Sequence, residues 1–471
     1  MAESITFKNK LRHALPDDIR VVFETDEDYK AMIATWNIRS RHRPLVIVQL
    51  GVNHLAIRGG GHSFEGLSLG GSDGALVLDM ILMNKIESNP GKNEPIAEGG
   101  AILGDISLHA FKNGGKMIPM GTCPSVGIAG QVQCGGFGFH TRTHGLLVDR
   151  ALAFEVVTAD GAIRQVNKKE HADLFYALRG SGSGSFGVIT SVTLRTNNAP
   201  GATANFSIRW DLDSSDVPDI LKAVHHACLK APPGINPMII IWLGVLEVYG
   251  TILAESDVER DESWRSFSSL LPRARSLRMK PLSFIDSLIE ISSLQTSAPW
   301  YQDLDQVHRE GEEHLRYMKI KAGFIPGALD DSFLHTLGDF LMTQPTTGVR
   351  VQLLALNPEI EPDPDTSSVK ARHCAWLMGM SVYLQAQEYG QEGLWIEAAE
   401  RLPWLTKAYE LFYPHTVGGY LGDDDLEEGQ NGRSMMESFY GHHLPRLSAI
   451  KEKYDPQNLF HHPLSIPVLR D

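Results

Sequence analysis

The chain has 471 residues, with 43 Lys and Arg against 57 Asp and Glu and a formal net charge of −14. No Lys/Arg-rich run offsets that acidity, which excludes the electrostatic attraction that drives nucleic-acid binding. The length exceeds one typical core and predicts two domains with room for a large cofactor, while four cysteines, Cys123, Cys134, Cys228 and Cys374, are too few for a disulfide framework and none has zinc-site spacing.

In chain order, the opening "MAESITFKNKLRHALPDD" has no apolar segment of signal-peptide length, and no stretch approaches the roughly 20 apolar residues of a membrane span. These features predict a cytoplasmic chain with no membrane partner. The runs "PLVIVQL", "LAIRGG", "ALVLDM", "LAFEVVTADGAI" and "FGVITSVTLRT" read as short strands between turn residues. From about residue 205 to 410, "TANFSIRWDL", "PMIIIWLGVLEV", "GVRVQLLAL" and "WLMGMSVYLQ" read as longer strands. They alternate with helical patterns at "SDVPDILKAVHHACLKA" and "EGLWIEAAERLPWLTKAYELF". The mixture predicts an α+β chain with an antiparallel sheet flanked by helices. The Pro- and acid-rich "NPEIEPDPDTSSVKA" reads as a surface loop. Near the end, Leu444, Leu447, Ile450 and Tyr454 have helical spacing, stopped by Pro456.

Three glycine-rich stretches stand out. In "LAIRGGGHSFEG", residues 55–66, the triple glycine implies either close approach to a ligand or positive φ angles, although a plain turn has the same letters. Residues 182–187 match G-x-G-x-x-G, but a helical pattern precedes them and a strand follows, the reverse of what a Rossmann pyrophosphate site needs. The stretch from 121 to 149 has little periodicity and is long for a structureless loop, which favours a ligand-binding coil lined with backbone N–H groups over a surface loop.

Together "IRGGGHSFEGLSLGG", "GTCPSVGIAGQVQCGGFGFHTRTHGLLVD", "VVTADG", "HADLFYALRGSGSGSFGVIT" and "YGHHLPRLSAIKEKYDPQNLFHHPLSIP" resemble the berberine-bridge-enzyme-like flavoproteins. These share the fold of vanillyl-alcohol oxidase and p-cresol methylhydroxylase (PCMH), and the pattern is most similar to glucooligosaccharide-oxidase-type members. The resemblance implies a two-part, PCMH-type FAD-binding domain from residues 1–204 and 411–471, and a substrate domain from 205–410. It places the cofactor FAD against Arg58, Gly59, Gly60, Gly61 and Ser63, against Gly121, Thr122, Val126, Gly127, Gly130, Gly135, Gly136 and Gly138, and against Val188. His62 falls where the family bonds the flavin 8α carbon, and Cys123 where bicovalent members bond C6. Beside Pro124, in a glycine-rich and N–H-rich setting, the Cys123 thiol is expected to have a lowered pKa. Val126 falls where the family gates oxygen, and a core valine is the plainer alternative.

Hydride removal also needs a base for the substrate proton. The family's Y-x-N-Y segment matches Tyr420-Leu421-Gly422-Asp423 here, so Asn has become Gly and the second tyrosine Asp. Asp423 can serve as base if desolvated, with Tyr420 beside it, although three successive acids more often form a solvated loop. Gln352 and His373 are expected on the substrate side, with a satisfied sheet position as the alternative for each. Before "LAIRGG" only "GVNH" separates it from "PLVIVQL", too little for the crossover helix the family places there, which predicts weak flavin retention. The resulting expectation is an FAD-linked oxidase in secondary metabolism, passing electrons from a small organic substrate to O2. The alternatives are a flavin dehydrogenase with another acceptor and a non-catalytic flavin-binding protein.

Overall fold

The computed structural model describes residues 55–469 apart from 72–74, 90, 213–215, 294–315, 346 and 358–365, together with Val22, Phe23, Asp26, Tyr29, Ile33 and Arg39. The strand expected at "PLVIVQL" and its short connection lie outside the described residues. Strands β1 (Leu55–Arg58) and β2 (Leu76–Asp79) pair in parallel, and the triple-glycine loop belongs to their connection. After β3 (Ile86–Ser88) and β4 (Pro95–Glu98) comes helix α1 (Leu103–Lys112), which buries Leu103, Ile106 and Ala110 at three- and four-residue spacing. β5 (Lys116–Met117) leads into the second glycine stretch.

That stretch is not the continuous coil expected. It contains α2 (Ile128–Gln133) and α3 (Thr141–His144), because Ile128 and Val132 share one face and bury it completely. β6 (Ala151–Val157), β7 (Ile163–Asn167), α4 (Ala172–Ala177) and β8 (Val188–Leu194) follow. They complete a five-stranded antiparallel sheet in the order β3-β4-β8-β6-β7. A helix before and a strand after residues 182–187 is the order read from the sequence.

β9 (Asn197–Asn198) pairs with β5, and the chain then enters the second sheet through β10 (Ala202–Asp211). Helix α5 (Val217–Leu229) precedes β11 (Ile235–Trp242) and β12 (Val245–Ala254). "PMIIIWLGVLEV" is therefore two strands rather than one. Leu243 and Gly244 both take positive φ, 50° and 71°, and close a two-residue hairpin. Next come α6 (Asp257–Ser268), β13 (Ser276–Leu282), α7 (Phe284–Ser293), β14 (Arg316–Ile325), α8 (Asp331–Leu341), β15 (Val349–Ala355), β16 (Trp376–Gln385) and α9 (Ala386–Phe412). The seven strands pair antiparallel in the order β13-β10-β12-β11-β15-β16-β14.

Side chains alternate across this sheet. Ile239, Ile241, Val351, Leu353, Met378 and Val382 enter the core that α5, α8 and α9 cover, while Met238, Leu354 and Leu377 face the other way. That second face is the one presented to the glycine loops. The chain returns through 413–433 to α10 (Met435–Tyr440) and α11 (Leu444–Tyr454), whose Leu447, Ile450 and Tyr454 join the core of the five-stranded sheet. The expected surface loop at 357–371 is corrected in its second half. Ser367, Ser368, Val369 and Ala371 are buried, and the Ser368 N–H donates to the Arg179 carbonyl at 2.9 Å. No described helix is long and apolar enough to cross a membrane.

Candidate active site

A cavity of about 390 Å³ separates the glycine loops from the open face of the seven-stranded sheet. Of the residues expected to hold cofactor, Gly59, Gly60, Gly61, His62, Ser63, Gly121, Thr122, Cys123, Val126, Gly127, Gly130 and Gly138 line it. Arg58, Gly135, Gly136 and Val188 do not. Arg58 is buried beside Asp79 at 3.6 Å, Val188 packs with Met80 and Phe460, and the two glycines turn at φ 101° and 76° against Phe137 and Leu147.

The bare backbone at Gly60 has a specific cause. A Cβ there would lie 2.4 Å from the Gly127 nitrogen and 2.7 Å from the Ser125 carbonyl, and a Cβ on Gly127 would lie 2.4 Å from the Gly60 nitrogen. The two loops are pressed against each other, and only glycine permits it. Gly130 differs, since nothing lies within 4 Å of the place its Cβ would take. Buried Ser68 Oγ and Gln133 Oε1 on the same wall have no protein partner. Vacant space beside a helical glycine and unsatisfied polar atoms beneath a glycine cradle fit a ligand as large and polar as FAD.

His62 Nε2 shares a hydrogen bond of 2.9 Å with Ser125 Oγ, and Cys123 Sγ lies 3.5 Å from the same hydroxyl. Ser125, which nothing in the sequence singled out, thus holds both candidate tethers. The expected low thiol pKa is corrected, because burial pushes the Cys123 thiol up despite the hydrogen bond from Ser125.

The acid run is not a solvated loop. Asp424 and Asp425 are buried, and Asp423 reaches the cavity. Burial, and then the neighbouring Asp424, pushes the Asp423 carboxyl up to about 7. Burial also raises Asp424, to about 6, against hydrogen bonds from Ser63 Oγ at 2.6 Å and the Phe64 N–H at 2.7 Å. Ser63 therefore pins the first glycine loop to the terminal segment. Burial alone would raise Asp425 too, but Lys319 and Lys321 hold it below the usual carboxylate range. Tyr420 sits edge-on to Phe137, ring centroids 5.0 Å apart, and a Cβ at Gly422 would strike its ring at 2.3 Å. The loss of Asn from the family pattern leaves room for that ring.

Lys319, almost fully buried on β14, contacts Glu65 at 2.8 Å and also Asp425, and Arg39 reaches Glu65 at 2.6 Å. Lys321 adds Asp425 at 3.0 Å and Glu427 at 2.9 Å. Lys319→Met would leave Glu65 and Asp425 short of positive charge in the interior. It should destabilise the fold by about 3–5 kcal/mol, read as a lower midpoint in chemical denaturation.

On the substrate side, Gln352 lines the cavity and stands in register with Gly379, above which lies Asp423 Oδ2, 3.9 Å from a Cβ built there. His373 is exposed and off the cavity wall, because it lies in the segment before β16 rather than on the sheet. Arg350, Ser381, Tyr383, Gly182, Gly184 and His462 line the cavity without having been anticipated. Arg350 was findable, since it shares the strand parity of Gln352.

Residues 51–167 match the FAD binding domain model, and residues 420–467 match the model for berberine and berberine-like proteins. The uncharacterized FAD-linked oxidoreductase YgaK of Bacillus subtilis is 28% identical over 96% of this chain and 97% of its own. Glucooligosaccharide oxidase of Sarocladium strictum is 26% identical over 91% of this chain and 86% of its own. The solved glucooligosaccharide oxidase of Acremonium strictum, described with 6-S-cysteinyl, 8α-N1-histidyl FAD, superposes with a TM-score of 0.81 at 21% identity, over 98% of this chain and 99% of its own.

Proposed function

Because the chain belongs to the berberine-bridge-like FAD-linked oxidoreductases, we propose that it is an oxidase that removes a hydride from a small organic molecule and yields hydrogen peroxide from O2. FAD bound in the cavity would supply the hydride acceptor and the centre that reacts with oxygen. On this reading residues 1–204 and 411–471 hold the cofactor and 205–410 present the substrate. His62 and Cys123 would hold the ring, and Gly59–Gly61, Gly121, Thr122 and Gly127 the rest of the cofactor. Gln352 would orient the reacting group, with the Tyr420 ring packed beside it, and Val126 would border the oxygen path.

Asp423 would take the proton of a hydroxyl or amine as the hydride departs. The observation that carries this role is a carboxyl pushed up to about 7 at the cavity wall, basic enough to accept a proton yet ionised in mildly alkaline solution. Asp424, already bonded to Ser63 and Phe64, would keep Asp423 in place.

The test is anaerobic mixing of the purified yellow protein with primary alcohols, reducing sugars and benzylic amines, followed by admission of air. Bleaching by one of these classes, then recovery of colour with stoichiometric peroxide, is expected. Bleaching without peroxide would make the protein a dehydrogenase.

A further inference from the structure

Among the described residues that line the cavity, Arg350 is the sole arginine or lysine. It lies on β15 two residues before Gln352, on the same face of the strand. Its guanidinium stacks 4.1 Å from the Tyr383 ring centroid and 5.5 Å from that of Trp242. No described carboxylate forms an ion pair with it. The charged groups nearest to it are Arg316, on the cavity-facing parity of β14, and Glu388, exposed at the start of α9. Burial holds the guanidinium below its usual pKa. Other buried cations have their partners within the protein: Lys319 and Lys321 have carboxylates, and Arg142 has the carbonyls of Ala231, Pro232 and Ile235. A guanidinium stacked on Tyr383 and near Trp242 at the wall of an open cavity is placed to receive an anion.

We propose that the substrate carries a carboxylate that Arg350 receives, about 7 Å along β15 from Gln352, so that Arg350 selects acidic over neutral substrates. The planar fork of a guanidinium matches a carboxylate bidentately. Ser381 stands in register with Arg350 and adds a hydroxyl, but no second lysine or arginine of the kind a phosphate dianion would need lines the cavity among the described residues. The position of the reacting carbon beside Gln352 and Asp423 rests on the oxidase reading, whereas the anion site does not.

The test titrates the flavin-loaded protein with benzoate and with benzamide, its neutral isostere, following the flavin absorbance and, independently, tryptophan fluorescence, which Trp242 makes sensitive to this wall. The native protein should prefer benzoate by at least about tenfold, R350Q should lose that preference with benzamide affinity unchanged, and R350K should keep part of it. Equal binding of the two probes by the native protein overturns the proposal. Benzoate preference surviving in R350Q, or a flavin reduction potential that moves while the preference does not, overturns it too. If R350Q fails to fold, R350K against native protein still decides, because a rigid bidentate site should be weakened by lysine and a non-specific one should not. A protein without flavin would fail the oxidase reading, while the fluorescence titration would still judge Arg350.

Discussion

Replacing Asp423 by Asn is expected to lower turnover by about 10²–10⁴-fold while leaving flavin content unchanged, because it removes a proton acceptor and keeps the shape. The native enzyme should show the matching pH dependence. With a carboxyl that titrates near 7, the base is protonated and idle in acid, so the rate of flavin reduction should rise about tenfold per unit below that pH and level off above it. The stability signs differ from those of an ordinary carboxylate. Asp423 and Asp424 are raised above their unfolded values, so between about pH 4 and 7 the native state binds the extra protons, and their contribution to stability falls as pH rises through that window. D423N removes part of this cost. It should therefore unfold at the same temperature as the native protein or higher at pH 8, which separates lost chemistry from lost folding. Equal turnover in the two proteins would remove Asp423 from the mechanism.

Gly60→Ala should damage both the fold and the flavin seat. The added methyl carbon meets three backbone atoms, Gly127 N, Ser125 O and Val126 C, and none can move without separating the loops that carry His62 and Cys123. The cost should reach or exceed about 1–3 kcal/mol, with loss of bound flavin. Gly130→Ala provides the contrast. Its methyl would enter open space on a helix, where alanine exceeds glycine by about 1 kcal/mol in helix propensity. The flavin-free chain should be as stable as the native one or more so, and flavin should bind less tightly. Measured by flavin absorbance and thermal unfolding, the two variants separate a glycine kept for packing from one kept for a ligand.

How much could be read in advance depended on distance along the chain. Val349, Val351 and Leu353 alternate along "GVRVQLLAL", whereas "WLMGMSVYLQ" reads as a strand only from its apolar run, because both its faces are buried. The hairpin at Leu243–Gly244 was hidden, since leucine carries no turn signal and the strands on either side are almost wholly buried. The glycine loops were recognisable as special, yet the reason for Gly60 lies in Gly127, and nothing local announces that contact. The three successive aspartates look identical as letters. Lys319 and Lys321, far away on β14, divide them into one held low and two held high. Arg350 escaped notice because an arginine on a strand is ordinary until its guanidinium is seen stacked on Tyr383 at the cavity wall.

On this reading the paired glycine loops, His62 and Cys123 form the seat of a tethered FAD. Mass analysis of the peptides carrying His62 and Cys123 from the purified, denatured protein tests it directly. Added flavin mass is expected on the His62 peptide, extending to the Cys123 peptide when both bonds form. Unmodified peptides from a colourless protein that also fails to take up FAD on reconstitution would contradict it.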